Sequence, residues 1–296
     1  MTMNNIAFTV FSKPWPLPMS LPELAALVKG LGLDGVELPV RPGYQVEPAS
    51  VAKGLKEAVR VFADHGLKIG SIAGSTDEPT IAACGEAGVP IIRICVGIDM
   101  KIGYMATERQ VRQQFDALLP ALRKHRVAIG VQNHCDFCVG SAIGVMHLIE
   151  KYDPKQVCAV LDMAHCAVDG EPEEMALDIV WPHVNGLINF KSAFHRRING
   201  PEEVEAKYAV HWTTCHHSGY SWSNMVKLLQ QRGYRGDVCL PAEYANLAAG
   251  GQLMDKEVLR PLQEDIAYIK FLFASQGASA DAPATDWQSA TAHGRK

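Results

Sequence analysis

At 296 residues, with 48% apolar and 20% charged side chains, the chain can bury a barrel-sized core and has the composition of an ordinary globular protein. Its 28 basic and 32 acidic side chains leave a formal net charge of -4, which argues against a phosphate backbone as the main partner. No apolar run approaches the roughly 20 residues that cross a bilayer, and "MTMNNIAFTVF" lacks a basic segment followed by a signal-type core, so a cytoplasmic location without a membrane partner is expected.

In chain order, a short β-rich run, a polar or glycine-containing turn and a longer segment of helical spacing recur. Strands are predicted at 5–11, 33–40, 66–74, 89–97, 126–133, 156–162, 186–192 and 236–243. Helices are predicted near 22–29, 50–65, 78–87, 106–124, 141–151, 172–181, 201–209 and 222–232, with a last one over 255–273. Eight strands, each followed by a helix, predict a single-domain α/β chain folded as a closed (β/α)8 TIM barrel over residues 1–274. The near-continuous apolar strands suit a parallel sheet covered on both faces. Residues 275–296, rich in Ala, Ser and Gly and without periodicity, are expected to form a disordered tail.

A barrel keeps its chemistry at the C-terminal ends of the strands. There the sequence places Glu37, Arg93, Gln132, Asn133, His134, Asp162, His165, Asn189, Lys191, His195 and Glu243. Acids and imidazoles at strand ends need partners when buried, so they stand out from random surface residues. Trp15, just after the first strand, offers an apolar face for a ring or simply packs among the prolines beside it.

Three other motifs lead elsewhere. "GLGLDG" (30–35) has G-x-G-x-x-G spacing, but a helical segment precedes it and a strand follows, the reverse of a dinucleotide site, so no nucleotide cofactor is expected. "CDFC" (135–138) has redox or zinc spacing, yet no second pair of ligands is evident beyond His165 and Cys166, and the eight scattered cysteines read chiefly as reduced and structural. "HWTTCHHSGYSW" (211–222) reads as a long loop able to reach over the barrel mouth.

The order of the strand-end motifs, with "GYSWSNMVKLLQQRGYRGDV" (219–238), resembles the xylose-isomerase-like barrel superfamily, which includes sugar phosphate isomerases/epimerases and inosose dehydratases. The resemblance implies a divalent metal held by a glutamate, an aspartate, a histidine and a second glutamate on strands five to eight. Where the family's fifth strand ends Glu-Asn-His, this chain reads Gln132-Asn133-His134. "DMAH" keeps the Asp-x-x-His of the sixth with Asp162 and His165, "NFK" puts Asn189 at the seventh strand's ligand and keeps Lys191, and Glu243 in "LPAEY" stands for the last glutamate. The implied metal set is therefore Asp162, Glu243, Gln132 and Asn189, for Mn²⁺ or Mg²⁺ ahead of Zn²⁺. Neutral amides in place of a carboxylate and an imidazole weaken such a shell for a hard cation.

The resemblance implies an enzyme that moves a proton beside a carbonyl, a sugar isomerase or epimerase acting on a ketose, keto-sugar or related polyol. Glu243 is the first candidate base, Glu37 a lesser one, His165 an acid and Lys191 a charge holder. Arg93, Gln132, His134 and His195 would join Trp15 in binding the substrate. Because Gln132 cannot transfer protons, a two-base epimerase is disfavoured and a one-base isomerase, or a dehydratase or lyase on a keto-sugar or inosose, remains. A metal-poor, sugar-binding or scaffold subunit without its own turnover is the further alternative. The expected partner is a small sugar or polyol rather than nucleic acid, and self-association into a homo-oligomer is expected from barrels of this kind.

Overall fold

A computed structural model describes residues 6–217 and 220–275, without the side chain of residue 217. Strands β1 (Ile6–Phe11), β2 (Gly35–Pro39), β3 (Lys68–Ala73), β4 (Ile91–Cys95), β5 (Ala128–Gln132), β6 (Val157–Asp162) and β7 (Val184–Asn189) pair in parallel with their sequence neighbours. The barrel closes through a last strand, β10 (Gly236–Leu240), which pairs with both β7 and β1, with Ile6 opposite Gly236 and Val10 opposite Leu240. All eight predicted strands are present and form one closed barrel.

The outer layer comprises α1 (Leu21–Gly30), α2 (Val51–Asp64), α3 (Glu78–Ala87), α4 (Tyr104–His125), α5 (Ala142–Ile149), α6 (Met163–Asp169), α7 (Glu173–Val180), α8 (Trp222–Gln231) and α9 (Leu259–Ser275). Their starts follow from capping chemistry: Ser20 and Glu23 form a reciprocal capping box on α1, and Asp77 and Ser141 accept backbone N–H groups at α3 and α5. The glycines of "GLGLDG" turn the chain from α1 into β2, with Gly32 at φ +71°. Alternation along the strands separates two cores. Val238 and Leu240 join the large strand–helix core, while Cys239 packs with Phe11, Ala73, Ile91, Val160 and Leu187 inside the barrel.

Two stretches differ from the sequence reading. A short helix, α6, follows β6 directly because the Asp162 side chain caps it, accepting from the N–H groups of Ala164 and His165 at 3.1 and 3.4 Å. The helix expected over 201–209 is absent. In its place an antiparallel hairpin pairs β8 (Ser192–Arg197) with β9 (Tyr208–Thr213), Ser192 facing Thr213 and Arg197 facing Tyr208. The acidic run before Tyr208 favoured a helix on propensity alone, but it had no apolar stripe to bury: Val204 is fully exposed, whereas the alternating Tyr, Val and Trp of β9 find a partner strand. The expected tail over 275–296 and Trp287 within it lie outside the described residues, apart from Ser275 at the end of α9. Among the described residues no helix is long and apolar enough to cross a membrane.

Candidate functional site

A relay of alternating charge runs round the C-terminal mouth of the barrel. Buried Glu37 on β2 accepts from Arg93 Nε on β4 at 2.9 Å and from Ser71 Oγ at 3.1 Å. The Arg93 guanidinium also approaches the Cys95 sulfur at 3.8 Å, and the Cys95 thiol faces Gln132 Oε1 at 3.7 Å. Gln132 Nε2 donates to Asp162 Oδ2 at 2.7 Å, and Lys191 Nζ stands 3.6 Å from the same oxygen. Lys191 Nζ then donates to Glu243 Oε2 at 2.7 Å, while Lys13 Nζ, just beyond β1, donates to Glu243 Oε1 at 2.6 Å and to Gln252 Oε1 at 3.2 Å. Side chains from β2, β4, β5 and β6 and from the segments after β7, β10 and β1 are thus joined across what would otherwise be costly burial of charge.

This relay walls a cavity of about 150 Å³ lined by Phe11, Lys13, Arg41, Arg93, Cys95, Gln132, His134, Asn189, Lys191, Pro241 and Glu243. Burial works against the Lys191 ammonium, but the Asp162 and Glu243 carboxylates outweigh it and raise the group above its ordinary range. Burial would lift Glu243, yet Lys191 and Lys13 overcome it and hold the carboxyl well below the usual carboxylate range. Asn189 lines the cavity at the end of β7, and its buried Oδ1 has no hydrogen-bond partner among the described residues, a polar atom that burial leaves costly. Arg41 stacks over the Phe11 ring at 5.6 Å, on the ring that also carries Arg93 at 4.6 Å, and has no carboxylate partner among the described residues.

His134 sits with Nδ1 2.9 Å from the backbone oxygen of Cys135. A carbonyl oxygen only accepts, so this contact puts a proton on Nδ1, and in the neutral ring the lone pair is then on Nε2. The ring stacks on His165 with centroids 4.0 Å apart, and Trp212 of β9 meets His165 edge-on at 5.1 Å while lying under Lys191 Nζ at 4.3 Å. His165 Nδ1 accepts the Cys135 N–H at 3.1 Å, and its buried Nε2 has no hydrogen-bond partner among the described residues. Burial, reinforced by Lys191 and His134, depresses His165 far below the imidazole range and keeps it neutral. Ligand atoms of His134, Cys135 and His165 lie within 4.8 Å of one another, but one His165 nitrogen is already engaged by the backbone.

Of the residues singled out from sequence, Arg93, Gln132, His134, Asn189, Lys191 and Glu243 line one cavity, with Glu37, Asp162 and His165 bonded or stacked against them. Two stand apart. His195 is exposed on β8, and Trp15 is buried with its indole N–H donating to Asp255 O at 3.2 Å beside a separate, proline-lined cleft of about 420 Å³. That cleft is larger, but its lining holds no comparable cluster of buried, titratable groups. Four residues were missed: Lys13, Arg41, Cys95 and Trp212. A lysine directly after a first strand and a tryptophan in an alternating run were the available signals. Among the described residues all eight cysteines, including Cys135 and Cys138, are free.

A profile of the family described as xylose isomerase-like TIM barrel matches residues 25–270. The chain belongs to this family. None of the curated proteins compared with it matches by sequence. Solved structures similar to this xylose isomerase-like barrel include the Escherichia coli 3-keto-D-glucoside 4-epimerase, at 12% identity and a TM-score of 0.62 over 90% of this chain and 99% of that one. The D-psicose 3-epimerase of Clostridium cellulolyticum H10, solved with D-tagatose, gives 13% and 0.65 over 90% and 99%. A Mycobacterium smegmatis xylose isomerase-like TIM barrel protein in complex with magnesium gives 17% and 0.62 over 91% and 97%. These likenesses establish the shared fold.

The donor set of this xylose isomerase-like barrel does not suit such a divalent ion. Asp162 spends one oxygen capping α6 and the other on Gln132, both Glu243 oxygens are held by lysines, and Gln132 turns N–H rather than oxygen toward Asp162. A hard cation needs carboxylate and carbonyl oxygens free to converge at about 2.0–2.6 Å. An ammonium already stands among them.

Proposed function

We propose that this protein is an enzyme that moves a proton on the carbon beside a carbonyl of a keto-sugar or related sugar acid. The observation that carries the reading is the His134 imidazole, its Nδ1 committed to a carbonyl, in the wall of a small polar cavity. Family membership and the epimerase names of similar structures support the class of chemistry. The proton leaves carbon for His134 Nε2, and the bonding pair forms the double bond of an enediolate whose oxygen carries the charge among the cavity's lysines. Return of the proton to the other carbon, with a hydroxyl proton passing to the former carbonyl oxygen, gives the isomer. Asn189 Oδ1 accepts from a substrate hydroxyl and fixes the ring or chain.

Glu243, the first candidate base from sequence, is neutralised by two lysines, which makes it a holder of Lys13 and Lys191 rather than a proton acceptor. With one open base, isomerisation is favoured over two-base epimerisation, and elimination follows if the intermediate carries a leaving hydroxyl on its next carbon. Incubation of ketoses, aldoses and sugar acids with the protein in D₂O, read by NMR, tests the proposal. Deuterium should enter at the carbon beside the carbonyl, and His134→Gln should slow it by roughly 10²-fold or more. No exchange across the panel, with binding retained, would leave a sugar-binding protein without turnover.

A further inference from the structure

We propose that the Lys191 ammonium stands in this barrel where its relatives' chemistry would call for a divalent cation, and that the site works without one. Lys191 Nζ lies 2.7 Å from Glu243 Oε2 and 3.6 Å from Asp162 Oδ2, so one positive charge bridges the two acidic side chains that the sequence retains. Lys13 takes the remaining Glu243 oxygen at 2.6 Å, completing the charge balance from the other side.

The replacements form one consistent set. Gln132 donates an N–H to Asp162, a contact a carboxylate could not make, and Asn189, with Lys191 in the cavity lining, keeps a buried oxygen without a partner among the described residues. Both amides remove charge or metal affinity at the positions where a cation would compete with the ammonium. Lys191 is buried and rests on the Trp212 face at 4.3 Å, so it is a fixed electrophile rather than a solvated tether. Its N–H groups bring charge to a substrate oxygen from a buried position, where a preorganised donor is worth far more than in water. In the proton transfer, the carbonyl oxygen that becomes anionic is held by Lys191 N–H while the proton resides on His134. The ammonium keeps its own proton.

The catalytic part rests on the reaction class proposed above; the binding part does not. The full chain, stripped of metal by chelation, is titrated with Mn²⁺ by calorimetry and by the loss of the free-ion EPR signal. The wild type should bind no Mn²⁺ tightly, and its melting temperature should not respond to the ion. Lys191→Ala leaves Asp162 and Glu243 uncompensated and should gain Mn²⁺ affinity by about tenfold or more, with a matching thermal stabilisation. Lys191→Arg keeps the charge and should continue to exclude the ion, and it serves if the alanine variant does not fold. Stoichiometric Mn²⁺ or Mg²⁺ in the wild type, lost in Asp162→Ala or Glu243→Ala, would overturn the proposal. So would zinc that is lost in His134→Ala, since it would place an ion on the same cavity. No sugar enters these titrations, so failure of the exchange assay and failure of the ammonium assignment are told apart.

Discussion

Gln132 Nε2 and Asp162 Oδ2 are joined by a 2.7 Å hydrogen bond between adjacent strands, both side chains buried. The amide brings a donor to a carboxylate that already caps α6 with its other oxygen. Gln132→Glu would bring two carboxylates together at positions that are both buried. A loss of about 2–4 kcal/mol is expected at neutral pH, measured as a shift in the urea midpoint with unchanged slope. A wild-type midpoint in the variant would show that the amide donor is dispensable.

Asp265 on α9 gives the fold a pH dependence away from the cavity. It accepts from the Cys215 N–H and the Tyr244 hydroxyl, each at 2.8 Å, and burial pushes its carboxyl up to about 7 despite those bonds. The native state therefore holds this proton more tightly than the unfolded chain. The contribution is fully present below about pH 4 and is lost as pH rises to about 7, on the order of a few kcal/mol in total. Asp265→Asn should flatten stability against pH in that window. A slope identical to wild type in denaturation at pH 4.5, 6 and 8 would contradict this.

Gly130, two residues before Gln132 on β5, leaves room for the barrel centre. A Cβ there would stand 2.7 Å from Val160 Cγ2 and 3.0 Å from Ile91 Cγ2, both buried. Overpacking of this kind costs about 1–3 kcal/mol, so Gly130→Ala should lower the melting temperature by several degrees. Because residues 130 and 132 share a face of the strand, ligand affinity should fall with it. An unchanged melting temperature would mean that the interior has slack.

Arg41, over Phe11 and without a carboxylate partner among the described residues, makes the cavity more welcoming to an acidic ligand than to a neutral one. Arg41→Gln should weaken binding of sugar acids by about tenfold while neutral sugars change little, with the difference shrinking at high salt. Calorimetric titration with matched acid and neutral pairs reads the effect directly. Equal losses for both classes would mark Arg41 as a packing residue.

The barrel was legible because its signal is repetitive. Runs such as "VPIIRICVG" and "RVAIGVQN" end where the polar residues begin, and the structure brings most of those ends together. The hairpin was not legible, since β8 and β9 are short, partly exposed strands whose pairing depends on a partner across a loop, while local propensity in between favours helix. The charge relay was half legible. Glu243 and Asp162 could be picked out by position, but their pairing with lysines depends on Lys13, 230 residues away in the chain, and on a lysine that resemblance alone treats as an accessory. A list of ligands says nothing about which cation they face.

Trp212 meets Lys191 from β9, not from the barrel wall, and β9 is tied down by its ladder with β8 and by the Ala245 N–H bonded to the Trp212 carbonyl. The aromatic face against Lys191 is thus supplied by a ribbon that takes no part in barrel closure. Changes confined to that ribbon would alter what Lys191 rests on while leaving the buried ion pairs at the strand ends in place.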